Sequence, residues 1–227
     1  MEISFKGHTV FLTGAGRGIG RTIKEVFLEN GAEVIAPSRQ ILDLADTYSI
    51  ERYLASYDQK LPDIFVHCAG INTLAGIDEI DPHVMQDVMQ VNCFSAVLLL
   101  QGFAKEMKAR QFGRAVFLSS VYAVVSRERR AAYSASKNAL TGIVKSAALE
   151  MAADQILVNA VAPGYVMTDM TRQNLSCQEI EDLTEKIPTG KFQSEMDVAN
   201  LVCFLCSDLN QSITGQLISV DGGFTCR

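Results

Sequence analysis

Short apolar, β-branched segments alternate with segments of helical periodicity along nearly the whole chain, and this alternation limits the possible folds most strongly. Strands that are joined through helices lie parallel in a sheet, with helices on both faces. The pattern predicts strands at 8–13, 33–37, 41–43, 63–68, 114–120, 156–161 and 216–220, and helices at 18–30, 47–57, from 81, 93–111, 131–153 and 195–207. The chain is therefore predicted to be one domain over residues 1–227, a doubly wound α/β fold with a mostly parallel seven-stranded sheet.

The composition excludes several classes of protein. With 48% hydrophobic residues in 227, the chain can bury a full core. Its net charge of −6 argues against a nucleic-acid-binding surface, and the one locally basic stretch, 127–130, is expected to be a solvated loop. No signal peptide and no apolar run of the about 20 residues that cross a bilayer is recognisable. We therefore expect a soluble, cytoplasmic protein without a nucleic-acid or membrane partner.

The six cysteines and three histidines indicate neither a disulfide framework nor a metal site. The cysteines are scattered in mostly apolar surroundings, unlike those of a small secreted domain. Cys203 and Cys206 have CxxC spacing, but they lie within one helical pattern and have no second pair. The histidines show no metal-ligand spacing. No metal is therefore expected.

A glycine-rich segment, residues 13–20 (TGAGRGIG), connects the first predicted strand to the first helix. Glycines there let the backbone approach a pyrophosphate closely, and the helix N-terminus offers unpaired N–H groups with a partial positive charge. The candidate cofactor-binding residues in this segment are Gly14, Arg17, Gly18, Ile19 and Gly20. The position in a strand–helix unit favours a dinucleotide site over a tight turn without a ligand.

The end of the second strand predicts which dinucleotide is bound. NAD-binding folds often have an acidic residue there for the ribose 2′-hydroxyl, whereas this chain has Ser38 followed by Arg39. A hydroxyl beside a guanidinium can hold a 2′-phosphate through charge-assisted hydrogen bonds, with Arg17 near enough to help. The alternative is two ordinary surface arginines. We expect NADP(H) to be preferred, because an NAD-linked enzyme would need a carboxylate near Ser38.

The long helix after the fifth strand carries a candidate acid–base pair. Tyr133 and Lys137 are four residues apart and so share one helix face. A neighbouring cation stabilises phenolate and makes the tyrosine a usable proton donor or acceptor. Ser120 ends the fifth strand, where sheets of this type bind ligands, and its hydroxyl is positioned to bind a substrate oxygen.

Together these motifs resemble the short-chain dehydrogenase/reductase superfamily, in its compact single-domain branch, over essentially the whole chain. The segment TGAGRGIG matches the family's TGxxxGxG motif, Ser120 with YSASK at 133–137 matches its Ser…YxxxK group, and 213–223 look like its final strand with a Val-Asp-Gly-Gly ending. The general look is nearest to 3-oxoacyl-(acyl carrier protein) reductases. The resemblance implies a Rossmann-like fold, NADP(H)-dependent interconversion of a carbonyl and an alcohol, and a homodimer or homotetramer paired through the two long helices and through the last helix and strand.

The resemblance also implies roles for individual residues. Tyr133 would protonate the substrate oxygen, Ser120 would orient it, and Lys137 would lower the Tyr133 pKa and bind the nicotinamide ribose. Asn92 would hold a water relay to Lys137. The remaining implied cofactor contacts are Asp43 and Leu44 at the adenine, Ala69 and Gly70 at the ribose, and Pro163, Gly164, Val166 and Thr168 near the nicotinamide, its carboxamide and the phosphates.

Two departures from the family pattern stand out. His67-Cys68 replaces the usual Asn-Asn before Ala69-Gly70, and we expect His67 to be structural. The segment 38–47 is short, as if a helix between the second and third strands were deleted, which would open the adenine pocket.

The substrate is left open by the sequence. The polar segment 168–186 is expected to be a mobile flap that offers Arg172, Gln173 and Asn174 to a substrate. Its length disfavours a bulky steroid without choosing among ketoacyl thioesters, sugars and small ketones. The alternative outside this enzyme class is a catalytically silent NADP(H)-binding sensor or scaffold.

Overall fold

The computed structural model describes residues 3–58, 60–168, 171–172 and 176–226. Six parallel strands form one sheet: β1 (Thr9–Thr13), β2 (Glu33–Ile35), β3 (Ile64–His67), β4 (Gly113–Leu118), β5 (Ile156–Pro163) and β6 (Leu217–Val220). Their order across the sheet is β2-β1-β3-β4-β5-β6, with every neighbouring pair parallel. This is the predicted doubly wound, Rossmann-like α/β architecture.

Helices cover both faces of the sheet. They are α1 (Gly18–Glu29), α2 (Thr47–Ala55), α3 (Pro82–Met89), α4 (Ser95–Arg110), α5 (Ala131–Met151), α6 (Cys177–Glu185) and α7 (Glu195–Cys206). On one face α1 packs against α7 over strand residues such as Val10 and Val66. On the other face α4 and α5 cover Phe65 and Phe117. Both apolar layers are continuous, since strands buried on two faces are apolar at successive positions.

The described residues form six strands rather than the predicted seven, because 41–43 is not a strand. The Ser38 carbonyl accepts hydrogen bonds from the amides of Ile41 (3.0 Å) and Leu42 (2.9 Å), which closes a turn. Leu42 is buried and packs into the core beneath α2, whereas Ile41 is exposed. The apolar pair that suggested a strand therefore anchors a turn with one of its two side chains.

The helical region at 82–110 is continuous. A π-helical turn, Gln90–Phe94, joins α3 to α4 without a break. This stretch is long and apolar enough to cross a membrane by length and composition alone, but half of its apolar window is buried. Leu99, Phe103 and Met107 pack onto the sheet, so its apolarity is that of a core helix.

The topology fixes the place of the site. The chain winds in opposite directions from β1, which pairs with β2 on one side and β3 on the other. In open α/β sheets a crevice forms at such a switch point, beyond the carboxyl ends of the strands. Thr13 and His67 lie opposite each other in the β1–β3 register and end their strands there.

Candidate active site

The glycine-rich loop follows β1 and folds tightly against the loop after β3. Gly14 has φ +73°, and a Cβ on it would lie 2.6 Å from the Ala69 amide nitrogen. A Cβ on Gly20 would collide with the Gly14 carbonyl oxygen. Around Gly16, in contrast, a Cβ would meet nothing within 4 Å. Gly14 and Gly20 therefore let the loop fold closely, while Gly16 leaves its outer side open to a ligand.

The N-terminus of α1 fits a phosphate group. Arg17 is the extended residue before the helix, its side chain makes no capping hydrogen bond, and no acidic residue lies in the first turn. Within the part of the chain that the structure describes, no side chain caps the first amides of α1, which suits them to an anion. Thr168 lies across the loop, since a Cβ on Gly18 would be 3.8 Å from its methyl group and from Glu195 Oε1. Ile19, half-buried in the first turn, packs against the core of this face.

Glu195, at the start of α7, is a neighbour of this loop that the sequence did not indicate. Its carboxylate accepts a hydrogen bond from the Thr22 hydroxyl at 2.9 Å, one turn into α1. No local pattern links residues 173 positions apart, so only the packing of α1 on α7 reveals the contact.

Ser38 and Arg39 lie in the exposed turn after β2. The Arg39 guanidinium is 81% exposed and 3.4 Å from Asp43 Oδ2, whose side chain is 38% exposed. Such a pair contributes at most about 1 kcal/mol, so an incoming phosphate can displace it. Asp43 also accepts a bond from the Ala45 amide (3.0 Å), and the Leu44 carbonyl accepts one from Gln90 (3.2 Å). The predicted phosphate and adenine residues thus share one surface turn.

Lys137 is buried on α5, one turn from Tyr133. Its ammonium lies 5.5 Å from the centre of the Tyr133 ring and donates to the Leu118 carbonyl at the end of β4 (2.6 Å). Burial lowers the pKa of Lys137 to about 8. A lysine with this pKa can hold or release a proton near neutral pH.

Tyr133 lies next to Ser120. Burial raises the pKa of Tyr133, and this effect is opposed first by the hydrogen bond to Ser120 and then by the positive charge of Arg130. The Lys137 ammonium, which donates to the Leu118 carbonyl, is not among the groups that set this pKa here. The lowering of the Tyr133 pKa by Lys137 therefore stays a prediction, as does every assigned site role.

Asn92 is held in the π-helical turn between α3 and α4. Its amide nitrogen donates to the Ile71 carbonyl (2.9 Å) and to Ser136 Oγ (3.0 Å), and its oxygen accepts from the Ile71 amide (2.8 Å). A Cβ on Gly70 would lie 3.4 Å from Asn92 Oδ1 and 3.5 Å from Lys137 Nζ. The structure thus brings Asn92 beside Lys137, with Gly70 between them.

His67 bridges the glycine-rich loop and the turn that carries Asn92. Its side chain is fully buried, with Nε2 3.2 Å from the Val91 carbonyl and Nδ1 3.0 Å from the Thr13 hydroxyl. A carbonyl only accepts, so Nε2 carries the proton and Nδ1 accepts from Thr13. That hydroxyl oxygen in turn accepts from the amides of Cys68 and Ala69, both at 3.2 Å.

The His67 ring is neutral at physiological pH. Burial, together with the nearby Lys137 charge, lowers its pKa to about 3. Both ring nitrogens are engaged in buried hydrogen bonds, so the ring is not positioned to transfer a proton to a substrate. The expectation that His67 is structural agrees with these contacts.

The segment after β5 closes the crevice. Gly164 packs so closely that a Cβ would lie 2.9 Å from Asp221 Cα, and Val166 is buried beside Gln193. Pro163 ends β5, and Thr168 caps the next turn by accepting from the Thr171 amide (3.1 Å). Arg172 is exposed, whereas Gln173 and Asn174 lie outside the described residues.

The sequence did not indicate a cavity of about 320 Å³ that has Tyr122, a ring neighbour of Tyr133, in its lining. Its lining combines residues from four distant parts of the chain: Tyr122, Ser126, Arg127, Glu128, Tyr165, Leu183, Lys186 and Phe224. Tyr122 lies between the cavity and Tyr133, since its ring packs edge-on against the Tyr133 ring. The ring centroids are 6.2 Å apart and the interplanar angle is 83°.

A doubly wound sheet with Ser120, Tyr133 and Lys137 at its crevice defines a class, the oxidoreductases that act on CH–OH and C=O groups. Residues 38–225 match the sequence family described as enoyl-(acyl carrier protein) reductase. The 3-oxoacyl-[acyl-carrier-protein] reductase FabG of Aquifex aeolicus is 34% identical over 247 residues, covering 98% of this chain and 99% of the relative. The chain belongs to the short-chain dehydrogenase/reductase superfamily and is FabG-like.

Other relatives are named for glycerol or gluconate. The NAD-dependent glycerol dehydrogenase of Listeria innocua is 30% identical over 236 residues, covering 95% of this chain and 93% of the relative. A candidate 2-deoxy-D-gluconate 3-dehydrogenase from Agrobacterium tumefaciens, solved with NADP, is 30% identical with a TM-score of 0.91. The match covers 99% of this chain and 98% of the relative. A gluconate 5-dehydrogenase from Burkholderia cenocepacia, solved with NADP and tartrate, is 25% identical with a TM-score of 0.90. The match covers 99% of this chain and 97% of the relative.

Proposed function

We propose that this protein is an NADP(H)-dependent oxidoreductase that interconverts a carbonyl and a secondary alcohol, with Tyr133 as the general acid and base. The observation that carries the proposal is the convergence of Ser120, Tyr133, Lys137 and Asn92, from the turn after β4, from α5 and from the π-helical turn, beside the glycine-rich loop. The alternative is a silent NADP(H)-binding sensor. It is less well supported, because all four side chains are present and grouped.

The residues present fit a dinucleotide. The open side of Gly16 and the uncapped start of α1 suit a pyrophosphate, and Ser38 with Arg39 suits a 2′-phosphate. We expect Ala69, Gly70 and the segment 163–168 to line the rest of the crevice. When bound, the nicotinamide supplies or accepts the hydride, and the protein supplies the proton and the orientation.

The chain's own groups handle the proton. The Tyr133 hydroxyl donates its proton to the substrate oxygen in reduction and takes it back in oxidation. The Ser120 hydroxyl orients that oxygen, and Lys137, with its pKa lowered to about 8, replaces the proton lost from Tyr133. Asn92, held by three hydrogen bonds, keeps the path to Lys137 in place.

The relatives frame the substrate. FabG proteins are named for 3-oxoacyl groups on a carrier protein, and the other relatives for glycerol or gluconate. A 3-oxoacyl thioester, a small ketone or a sugar is therefore proposed as the substrate class. Solved relatives include NADP-bound and NADH-bound forms, so the cofactor preference of this chain rests on its own turn at Ser38 and Arg39.

Replacing Arg39 with alanine tests the cofactor. We expect the Kd for NADPH to rise about 10- to 100-fold, because a charge-assisted hydrogen bond contributes about 1.5–3 kcal/mol. The Kd for NADH should change less than about twofold, since it has no 2′-phosphate. Fluorescence titration of both cofactors measures these constants. Lys105→Ala, which removes an exposed positive charge on α4, is the matched control, and tighter NADH binding by the unaltered protein would overturn the preference.

We further propose a cytoplasmic homodimer or homotetramer. The location is supported by the six cysteines, all of which are free thiols. The assembly is supported by an apolar groove of about 710 Å³ between α4 and α5, which includes Val97, Ile143 and Ala147. Sedimentation at micromolar concentration should give at least a dimer, and Ile143→Lys should weaken it. A clean monomer in the unaltered protein contradicts pairing.

A further inference from the structure

The cavity beside Tyr133 has a preformed polar wall. The hydroxyls of Tyr122 and Tyr165 lie 3.3 Å apart and share a hydrogen bond. The Tyr165 ring packs against the rings of Phe192 and Phe224, with centroid separations of 5.8 Å and 5.2 Å. Aromatic contacts from two further segments therefore hold this wall in place before any substrate arrives.

Two positively charged side chains reach this cavity. Arg127 is one of the residues that line the cavity, and its positive charge interacts with the Tyr165 hydroxyl. Lys186 enters from the other side, at the end of α6. Within the described ranges, no carboxylate lies within 4.0 Å of either group.

The neighbouring charges do not neutralise this pair. Glu128 is the one carboxylate among the lining residues, and Glu179 interacts with Arg127 only at a distance while it is bonded to Ser176 in the helix cap. Arg129 is paired with Glu79 at 3.6 Å, outside the cavity. In a chain with a net charge of −6, the lining of this small cavity has two cations, Arg127 and Lys186, and one carboxylate, Glu128.

We propose that the substrate is a small carbonyl compound bearing a carboxylate or phosphate, which Arg127 and Lys186 bind while its carbonyl lies at Tyr133. This inference rests on the proposed function. An oxyanion suits a guanidinium and an ammonium together with two tyrosine hydroxyls, because charge-assisted hydrogen bonds are the strongest available. A cavity of about 320 Å³ admits a small acid and lies at the lower end of ordinary ligand pockets.

Matched substrates test the proposal. A 3-oxo acid is compared with its methyl ester, and hydroxyacetone phosphate with hydroxyacetone, using NADPH. Of the two charged substrates, the one with the lower KM should have a KM about 10- to 100-fold below that of its neutral partner. The pair with the larger ratio identifies carboxylate or phosphate as the group bound.

Variants locate the contact. Arg127→Met and Lys186→Met should each raise the KM for the charged substrate about 10-fold or more, leave kcat within about threefold, and leave the neutral substrate unaffected. Arg129→Met, which removes a neighbouring positive charge outside the cavity, should leave the KM for the charged substrate unchanged. Equal KM values for charged and neutral partners, or a charge preference that both variants retain, would overturn the inference. Exclusive turnover of thioesters bound to a carrier protein would also overturn it.

A binding measurement separates this inference from the proposed function. Calorimetry with the 3-hydroxy acid and with a phosphorylated alcohol, added to the NADP-saturated protein, does not require turnover. Binding of either ligand that Arg127→Met and Lys186→Met weaken about 10-fold supports the oxyanion site even if Tyr133→Phe retains activity. Reduction of neutral ketones that depends on Tyr133, without such binding, keeps the proposed function and rejects the site.

Discussion

Tyr133→Phe is expected to lower carbonyl reduction by about 10²- to 10⁴-fold, the range that one positioned general acid contributes. The substitution removes only the hydroxyl that donates to the substrate oxygen. The ring contact with Tyr122 and the Lys137 bond to Leu118 should persist. The Kd for NADPH should therefore stay within about twofold, so the loss falls on kcat. Steady-state kinetics and a fluorescence titration on the same preparation measure both quantities.

Tyr57→Phe is the matched control for this experiment. Among the described residues, its hydroxyl donates a hydrogen bond to the Lys60 carbonyl at 3.4 Å, just after α2 and away from the crevice. Turnover in this variant should be unchanged. If Tyr133→Phe retained the turnover of the unaltered protein, Tyr133 would have no part in the mechanism. A loss of NADPH binding would instead assign it a mainly structural role.

Lys137→Met is expected to lower turnover by about 10²-fold or more and to change the stability in a pH-dependent way. The activity falls because Tyr133 loses the group that replaces its proton. The stability changes because the folded protein holds the Lys137 ammonium in a buried site, with its pKa lowered from 10.5 to about 8. Between these two pH values the unfolded chain binds more protons than the folded one, so the stability rises with pH.

The sign and size of this effect can be measured. The cost of burying the charge is full below about pH 8 and disappears as the pH approaches 10.5. Relative to Lys137→Met, the free energy of unfolding of the unaltered protein should rise by about 2 kcal/mol from pH 7 to pH 9.5. Urea unfolding of both proteins across this range gives the difference. A difference that is constant with pH, or that falls, would show that the Lys137 pKa is not lowered.

Features set by local sequence could be predicted. The strands ending at Thr13, His67 and Leu118 are short, apolar and bounded by turn residues, so their positions follow from periodicity. The spacing of Tyr133 and Lys137 fixed their common helix face. The strand was predicted to end at Ser120, whereas β4 ends at Leu118, and Ser120 follows it at the same edge of the sheet.

Features that depend on tertiary packing could not be predicted from the sequence. Ile41 and Leu42 have the composition of a strand, but the Ser38 carbonyl closes a turn around them. The π-helical turn at Asn92 has no simple composition signal, and the bridge made by His67 depends on a carbonyl 24 residues away. The cavity with Arg127 and Lys186 joins segments that periodicity treats separately.

The most direct test of the account is the transfer of deuterium from NADPH labelled at its hydride-donating carbon to a ketone substrate, read by mass spectrometry of the alcohol. With the unaltered protein we predict one deuterium at the new carbinol carbon. With Tyr133→Phe we predict that the rate of deuterium transfer falls at least about 10²-fold. Tight NADPH binding without transfer to any member of a ketoacyl, sugar and small-ketone panel would contradict the account and favour the sensor.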